Sequence, residues 1–341
     1  MSFNATTTPQ HHSFTLKETE SILEGALRQG VGLPYGCRNG YCGSCKGKVI
    51  TGHIRYPDGV PPGLSPQEAA HGYALFCQAH PLSDLTLEVN EVATATDLPI
   101  KTLPVRVAKM TRLAPDVMQL LLQLPATERL QYLAGQYLNV LLKDGKHRSF
   151  SLANPPHQDE FLELHIRQVP GGSFTTYIFE QLQEKALLRI RAPLGTFFLR
   201  EDSRKPIIFV GGGTGFAPLK GMIEHALHIG LARPMHLFWG VRTQHDLYSN
   251  LPYQWAKHYD HYHFRYTPVL SEPGTTANNP LDEGKVSGWV HQAVIDQHPD
   301  LSAYQIYMAG PPAMITAAKT AFFQHGLPET ELFYDSFEFM P

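Results

Sequence analysis

The alternation of apolar and polar residues changes rhythm twice along the chain. Over the first ninety residues, short alternating runs surround a single helical stretch. SFTL at 13–16 alternates as a strand does, and ESILEGALRQG places apolar residues at helical spacing with Gly30 as its stop. GKVITGHIRY and LTLEVNEV return to strand character, so a small mixed sheet with one helix across it is predicted. ATATDLPIKTLP has small residues and two prolines but no period, and reads as a linker. Beyond it, PVRVAKMTRL, VMQLLLQL, QYLNVLL, HRSFSLA and LELHIRQV are short strands between turn signals, the pattern of an antiparallel barrel. From about residue 205 the order becomes strand, loop, helix, as in KPIIFVGGGTGFAPLKGMIEHALHIG and YQIYMAGPPAMITAAKTAFFQHG. Strands alternating with helices predict a doubly wound parallel sheet. The expected fold is therefore multidomain, α/β and β: a first segment at 1–93, a linker at 94–103, a barrel at 104–203 and a parallel-sheet domain at 204–341.

Composition narrows this picture little. A length of 341 residues allows two or three domains, and 43% hydrophobic with 17% charged residues describes an ordinary globular chain. No apolar run approaches the ~20 residues of a membrane helix. MSFNATTTPQHHSF has neither a basic start nor an apolar core, so no export signal is read and a cytoplasmic location is expected. Net charge is −3 without a basic stripe, which argues against a nucleic-acid partner. The 18 histidines are scattered, with no HExxH or paired-ligand spacing.

The cysteines change it a great deal. There are four, Cys37, Cys42 and Cys45 in PYGCRNGYCGSCKG and Cys77 in ALFCQAHP. C-x4-C-x2-C with a distant fourth cysteine is the plant-type 2Fe-2S spacing, in which four thiolates hold two irons. Gly36, Gly40, Gly43 and Gly47 are interleaved with them, which lets the loop turn backbone N–H groups toward sulfur. A disulfide framework is disfavoured by the low cysteine fraction and the missing signal. A zinc site would show two short Cys or Cys/His pairs.

Two glycine loops follow apolar strands and open helices. One is Gly211 to Gly215 after IIFV, with Pro218 in the first helical turn, and the other is Ala309-Gly310-Pro311-Pro312. Unpaired N–H groups and the helix dipole at such a place suit phosphate, although GGGTG is not the GxGxxG spacing and a plain tight turn remains the alternative. In the barrel segment, Arg148 is suited to a pyrophosphate, Phe150 to a flat ring and Ser151 to a ring nitrogen; as residues alone, RSFS reads first as a plain alternating strand. Gly171-Gly172-Ser173 and Thr175 precede a helical pattern and offer a second phosphate site.

The order RSFS, GGSFT, PLGTF, GGGTGFAP, AGPPAM and a terminal aromatic segment, FYDSFEF, resembles the ferredoxin–NADP reductase superfamily. With the cysteine segment in front, nearly the whole chain resembles the reductase components of multicomponent oxygenases. In PYGCRNGYCGSCKG, LAGQYLNVLLKDG, HRSFSLANPP and GTFFLREDS it is similar to the related reductases that serve a dehydrase of dideoxysugar synthesis. The resemblance implies a 2Fe-2S cluster on Cys37, Cys42, Cys45 and Cys77. It implies FAD in the barrel, with Arg148, Phe150, Ser151, His165, Ile166 and Arg167 at the flavin and Gly172, Ser173 and Thr175 at phosphate. Phe337 would shield the flavin until nicotinamide displaces it. It implies NADH or NADPH at Gly212, Gly213, Thr214, Gly215, Gly310, Pro311 and Pro312. MHLFWGVR ends without the acidic residue that holds a ribose 2′-OH, while Arg242 is suited to a 2′-phosphate; the reading leans to NADH. Phe150 stands where the family usually has tyrosine, and Ala309 where a cysteine usually precedes GPP, which implies a working reductase with slower hydride transfer. No catalytic side chain beyond the cofactors is implied. The implied partner is a separate electron-acceptor protein, a dehydrase or an oxygenase component. A redox sensor without turnover is the remaining reading, resting on Ala309.

Overall fold

A computed structural model of the chain describes residues 1–92, 98–259, 263–272 and 285–338. Residues 94–97 of the expected linker and Phe339 of the terminal aromatic segment lie outside the described residues. The described residues fall into two compact units: those within Met1–Ile100 with Leu194–Phe197 and Glu338, and those within Lys101–Pro193 with Phe198–Phe337.

The first unit contains β1 (Ser2–Thr8), β2 (Ser13–Lys17), α1 (Ile22–Arg28), β3 (Lys46–Thr51), β4 (Ile54–Arg55), α2 (Pro66–Ala70), β5 (Tyr73–Leu75), β6 (His80–Pro81) and β7 (Leu85–Glu88). Five strands form a mixed sheet in the order β2-β1-β7-β3-β5, with β1 parallel to β7 and antiparallel to β2. Helix α1 starts at a capping box: Ser21 Oγ accepts from the Glu24 N–H and Glu24 Oε2 from the Ser21 N–H. Its apolar face, Ile22, Leu23 and Ala26, packs with Phe14, Leu16, Phe76 and Leu87 in one buried core. Two features differ from the alternation. GKVITGHIRY is two strands, separated at Gly52 with φ +95°. β1 is unmarked in sequence because SFNATTT has a single large apolar residue, yet it lies between β2 and β7, where its backbone is paired on both edges.

In the second unit, β8 (Lys101–Ala114), β9 (Val117–Gln123), β10 (Tyr137–Leu141), β11 (His147–Ser151), β12 (Leu162–Arg167), α3 (Ser173–Glu180) and β13 (Leu187–Leu194) come first. The strands form one sheet in the order β11-β10-β13-β8-β9-β12. Its two edge strands are drawn together where the Ala153 N–H donates to Glu163 O at 2.8 Å and the Glu163 N–H to Asn154 Oδ1 at 2.8 Å. Alternate residues Val105, Val107, Leu120, Leu122, Leu162, Leu164 and Ile166 point into a common core, as period two requires.

Then follow β14 (Ile207–Gly212), α4 (Phe216–His228), β15 (Met235–Val241), α5 (Leu251–His258), β16 (Phe264–Leu270), β17 (Val286–Ser287), α6 (Val290–Gln297), β18 (Gln305–Gly310), α7 (Pro312–Gln324) and β19 (Leu332–Ser336). These strands are all parallel, in the order β17-β16-β15-β14-β18-β19. The chain runs outward from β14 and returns on its other side as β18. The topological switch point, where open α/β sheets hold ligands, is therefore between β14 and β18. No helix among the described residues is long and apolar enough to cross a membrane.

Candidate functional site

The cysteine loop is held open by residues with positive φ: Arg38 (+61°), Gly40 (+83°) and Gly43 (+76°). Such turns direct consecutive N–H groups to one side, making a nest for anionic sulfur. The N–H groups of Asn39, Tyr41 and Cys42 point at Cys37, that of Cys37 at Cys42 Sγ (3.4 Å), and that of Gly40 at Cys77. The thiols pair two and two. A hydrogen bond from Cys42 lowers Cys37 to about 7, against its burial, while the same bond and burial push Cys42 up. Cys45 and Cys77 form a second pair, with Cys77 held low by Cys45 and Cys45 raised by Cys77 and by burial. Among the described residues no three His, Cys, Asp or Glu side chains converge on one ion. Two pairs of thiols under a nest of N–H groups instead fit a two-iron cluster that takes two thiolates per iron. All four cysteines are free.

Edge strand β11 carries Arg148, Phe150 and Ser151. The Arg148 guanidinium donates to its neighbour's carbonyl at His147 (2.9 Å), the half-buried Phe150 ring lies 6.0 Å from Phe174, and Ser151 Oγ donates to Asp335 Oδ2 on β19 at 3.0 Å. Helix α3 begins at Gly172 with no side-chain cap, so its first N–H groups are available to an anion; Ser173 opens the helix. The Thr175 hydroxyl is spent inside this turn, accepting from Val169 N and donating to Gly172 O.

β12 alternates Glu163, His165 and Arg167 on one face with Leu164 and Ile166 on the other. Ile166 is in the barrel core, leaving its backbone alone for a ligand. His165 is fully enclosed: its Nε2–H donates to Glu163 Oε1 at 2.8 Å and its Nδ1 accepts from the Tyr248 hydroxyl at 3.1 Å. Burial lowers its pKa, more than Glu163 raises it, so the ring is neutral. Glu163 also binds Lys220 Nζ of α4 at 3.0 Å, and Lys220 reaches Glu224 and the Ala153 carbonyl. Arg167 Nε lies 3.1 Å from Asp116 Oδ2 but out of line for a hydrogen bond, and its Nη2 is buried without a hydrogen-bond partner. An orphaned guanidinium nitrogen beside a glycine loop fits an anionic or carbonyl group of a bound nucleotide.

The two glycine loops meet at the switch point. A Cβ on Gly215 would stand 1.9 Å from the Ala309 carbonyl oxygen, and one on Gly310 (φ +148°) 3.0 Å from the Gly212 Cα, so the backbones approach as only glycine allows. Gly213 (φ +55°) faces the Arg167 guanidinium, and its carbonyl accepts from the buried Trp239 indole. Thr214 is buried, Pro311 is exposed and Pro312 opens α7. The half-buried Phe337 donates its N–H to Gly310 O. Arg242 is exposed at the end of β15. The residues expected at a nicotinamide nucleotide are thus gathered around β14 and β18, except Arg242. Glu163, Lys220, Tyr248 and Asp335 belong to the same surroundings and are not marked by any motif.

Three family models match the chain in order: 2Fe-2S iron-sulfur cluster binding domain at residues 5–82, oxidoreductase FAD-binding domain at 104–199 and oxidoreductase NAD-binding domain at 209–320. The chain belongs to the ferredoxin–NADP reductase superfamily, in the group with an N-terminal 2Fe-2S domain, and is an NAD(P)H-dependent iron–sulfur flavoprotein oxidoreductase that moves electrons from NAD(P)H through FAD to the cluster. It is 39% identical to the CDP-6-deoxy-L-threo-D-glycero-4-hexulose-3-dehydrase reductase of Yersinia pestis, over 99% of both chains. It is 33% identical to the terephthalate 1,2-dioxygenase reductase component 1 of Comamonas sp, over 96% of this chain and 95% of that one. A crystal structure of the Amycolatopsis cytochrome P450 reductase GcoB, 32% identical, superposes with a TM-score of 0.77 over 98% of each chain. These relatives are named as reductases or reductase components, which sets aside the reading as a sensor without turnover.

Proposed function

We propose that electrons leave this chain at the centre held by Cys37, Cys42, Cys45 and Cys77 for a separate acceptor, a 3-dehydrase acting on a CDP-6-deoxy-4-hexulose in dideoxysugar synthesis. In this reading the protein is similar in role to CDP-6-deoxy-Δ3,4-glucoseen reductase. The observation that carries it is the 39% identity with the Yersinia pestis reductase of that dehydrase, end to end. A second reading, reductase component of a mono- or dioxygenase, is favoured by the 33% identity with the terephthalate dioxygenase component. Reconstitution decides between them. With NADH, the purified chain is expected to support deoxygenation by such a dehydrase; turnover with an oxygenase component and none with the dehydrase selects the second reading.

Bound FAD takes hydride from NAD(P)H and returns electrons singly, so this chain has rings to position and no nucleophile to supply. In the proposed assignment Arg148 pairs with the pyrophosphate, Phe150 covers the ring, Ser151 hydrogen-bonds a ring nitrogen, and Gly172, Ser173 and Thr175 shape the phosphate turn. The backbone around His165, Ile166 and Arg167 lines the same site, and Phe337 shields it. Gly212 to Gly215 and Gly310 to Pro312 take the nicotinamide nucleotide, with Arg242 toward its ribose and NADH the favoured form. The corresponding segments are 1–93, a linker at 94–103, 104–203 and 204–341, and the location is cytoplasmic.

Purified protein is expected to show flavin bands over broad iron–sulfur absorption, both bleached by NADH. A colourless protein containing zinc would overturn the scheme. Arg148→Gln is expected to weaken FAD retention about 10- to 100-fold, since a hydrogen bond to a charged group contributes about 1.5–3 kcal/mol. Flavin titration of the apoprotein measures this, and parental affinity would remove Arg148 from the site.

A further inference from the structure

We infer that Thr196 is a positioning residue for the iron–sulfur centre, gripping the backbone of Tyr35 two residues before Cys37. This rests on Cys37 being a cluster ligand. Thr196 lies in Leu194–Phe197, the short stretch that begins with the last residue of β13 and belongs to the first compact unit. Leu194 and Phe197 are buried on either side of it, and Thr196 itself is 8% exposed. Its hydroxyl accepts from the Tyr35 N–H at 2.9 Å and donates to the Tyr35 carbonyl at 3.0 Å, and its own N–H donates to that carbonyl at 3.1 Å. The partners are 161 residues apart in sequence, so nothing local produces the match.

One hydroxyl bonded to both the N–H and the C=O of a single residue fixes the peptide planes on each side of it. The next residue runs close against the cysteine loop. A Cβ on Gly36 would lie 3.2 Å from Cys42 Sγ and 3.2 Å from Ser44 Oγ, so the chain here runs against the thiol of a second ligand. Cys37 then points its N–H at that same sulfur at 3.4 Å. The Arg38 guanidinium caps the segment, 5.8 Å over the Tyr35 ring. A tilt of the Tyr35 peptide is therefore transmitted to the Cys37 N–H and to the nest of donors that sets the electrostatics at sulfur. Hydrogen bonds to the sulfurs are one of the protein's means of tuning a cluster potential.

The test compares the parent holoenzyme with Thr196→Val, which keeps shape and loses the hydroxyl, and Thr196→Ser, which keeps the hydroxyl. Iron and sulfide content of the parent checks the ligand reading separately; a parent without a cluster sinks that reading and not the grip. In Thr196→Val, exchange of the Tyr35 amide is expected to rise about tenfold, as for loss of a hydrogen bond of about 1.4 kcal/mol. The midpoint potential and electron paramagnetic resonance spectrum of the reduced cluster should change, while NADH-dependent dye reduction at the flavin stays at the parental rate. Thr196→Ser should restore all three cluster readouts. A Val variant with parental exchange, potential and spectrum overturns the inference, as does a Ser variant that resembles Val. If Thr196→Val fails to fold, Thr196→Ser decides alone: a parental cluster spectrum supports the grip and a shifted one removes it.

Discussion

Cys42→Ser is expected to abolish electron delivery to one-electron protein acceptors while NADH-dependent dye reduction at the flavin continues at about the parental rate. The residue sits where the two arguments for a cluster meet. It is the middle cysteine of the C-x4-C-x2-C spacing, and in the structure it faces Cys37 with reciprocal N–H to sulfur contacts of 3.4 Å. One iron of a two-iron centre would lose one of its two protein ligands. A serine hydroxyl ionises far less readily than a thiol and offers a harder oxygen in place of sulfur, so it is a poor substitute. The local fold should survive, because α1 and the strands around the loop are held by a core in which Cys42 takes no part. Iron and sulfide content, together with cytochrome c and dye reduction on the same preparation, measure the separation. Loss of both activities with flavin still bound would place the cluster before the flavin and refute the proposed order. Plant-type clusters lie at roughly −400 mV, so an intact centre is a strongly reducing exit.

What could be read from sequence divides by physical range. The cysteine loop was legible because three of the four cysteines, the glycines and the turns lie within a few residues, and the fourth, Cys77, follows at a distance that the plant-type spacing allows. Most strands of the barrel and parallel sheet were legible because period two and buried apolar runs are local signatures of where a strand sits. β1 was not, since SFNATTT lacks that signature and its place is decided by pairing with β7, about eighty residues away. The buried ionic cluster was also illegible. Lys220 in FAPLKGMIEHAL reads as the polar face of a helix, and only the packing of α4 against the 152–154 segment encloses it. The alternation of Glu163, His165 and Arg167 is a signal that could have raised the question. Three ionisable residues on one face of a strand whose other face is core need partners, and the structure supplies Lys220, Tyr248 and Asp116. Thr196 belongs to the same class, a common residue made specific by a contact across the chain.

Lys220→Met is expected to lower the melting temperature by roughly 10 °C, with a gap from the parent that narrows on acidification. Lys220 Nζ lies 3.0 Å from both Glu163 Oε2 and Glu224 Oε2 and donates to the Ala153 carbonyl at 3.2 Å, with 7% of the side chain exposed. Replacing this well-buried group leaves two carboxylates facing one another without a cation. Breaking a buried pair from one side costs about 3–5 kcal/mol, and about 2–4 °C accompanies each kcal/mol in a domain of this size. The pH dependence identifies the cause. In the parent, burial presses Glu163 upward, but the His165 hydrogen bond and the Lys220 charge outweigh it and hold the carboxyl at about 2. A folded value below the unfolded one contributes stability above the ordinary carboxylate range, and this is lost as pH falls toward 2. His165, kept neutral by burial, adds to the loss below its ordinary value because the unfolded chain takes up a proton that the fold refuses. Glu224 runs the other way, since burial raises it and protonation relieves it. Without Lys220 both carboxyls move upward, so protonation from pH 7 to pH 5 relieves the variant while it gains the parent nothing from Glu163. Thermal melts of both proteins across that range measure the effect, and Glu163→Gln added to Lys220→Met should recover part of the loss because one buried charge is removed. A variant that melts with the parent, or a gap independent of pH, would show that α4 is held to β12 by its apolar contacts alone.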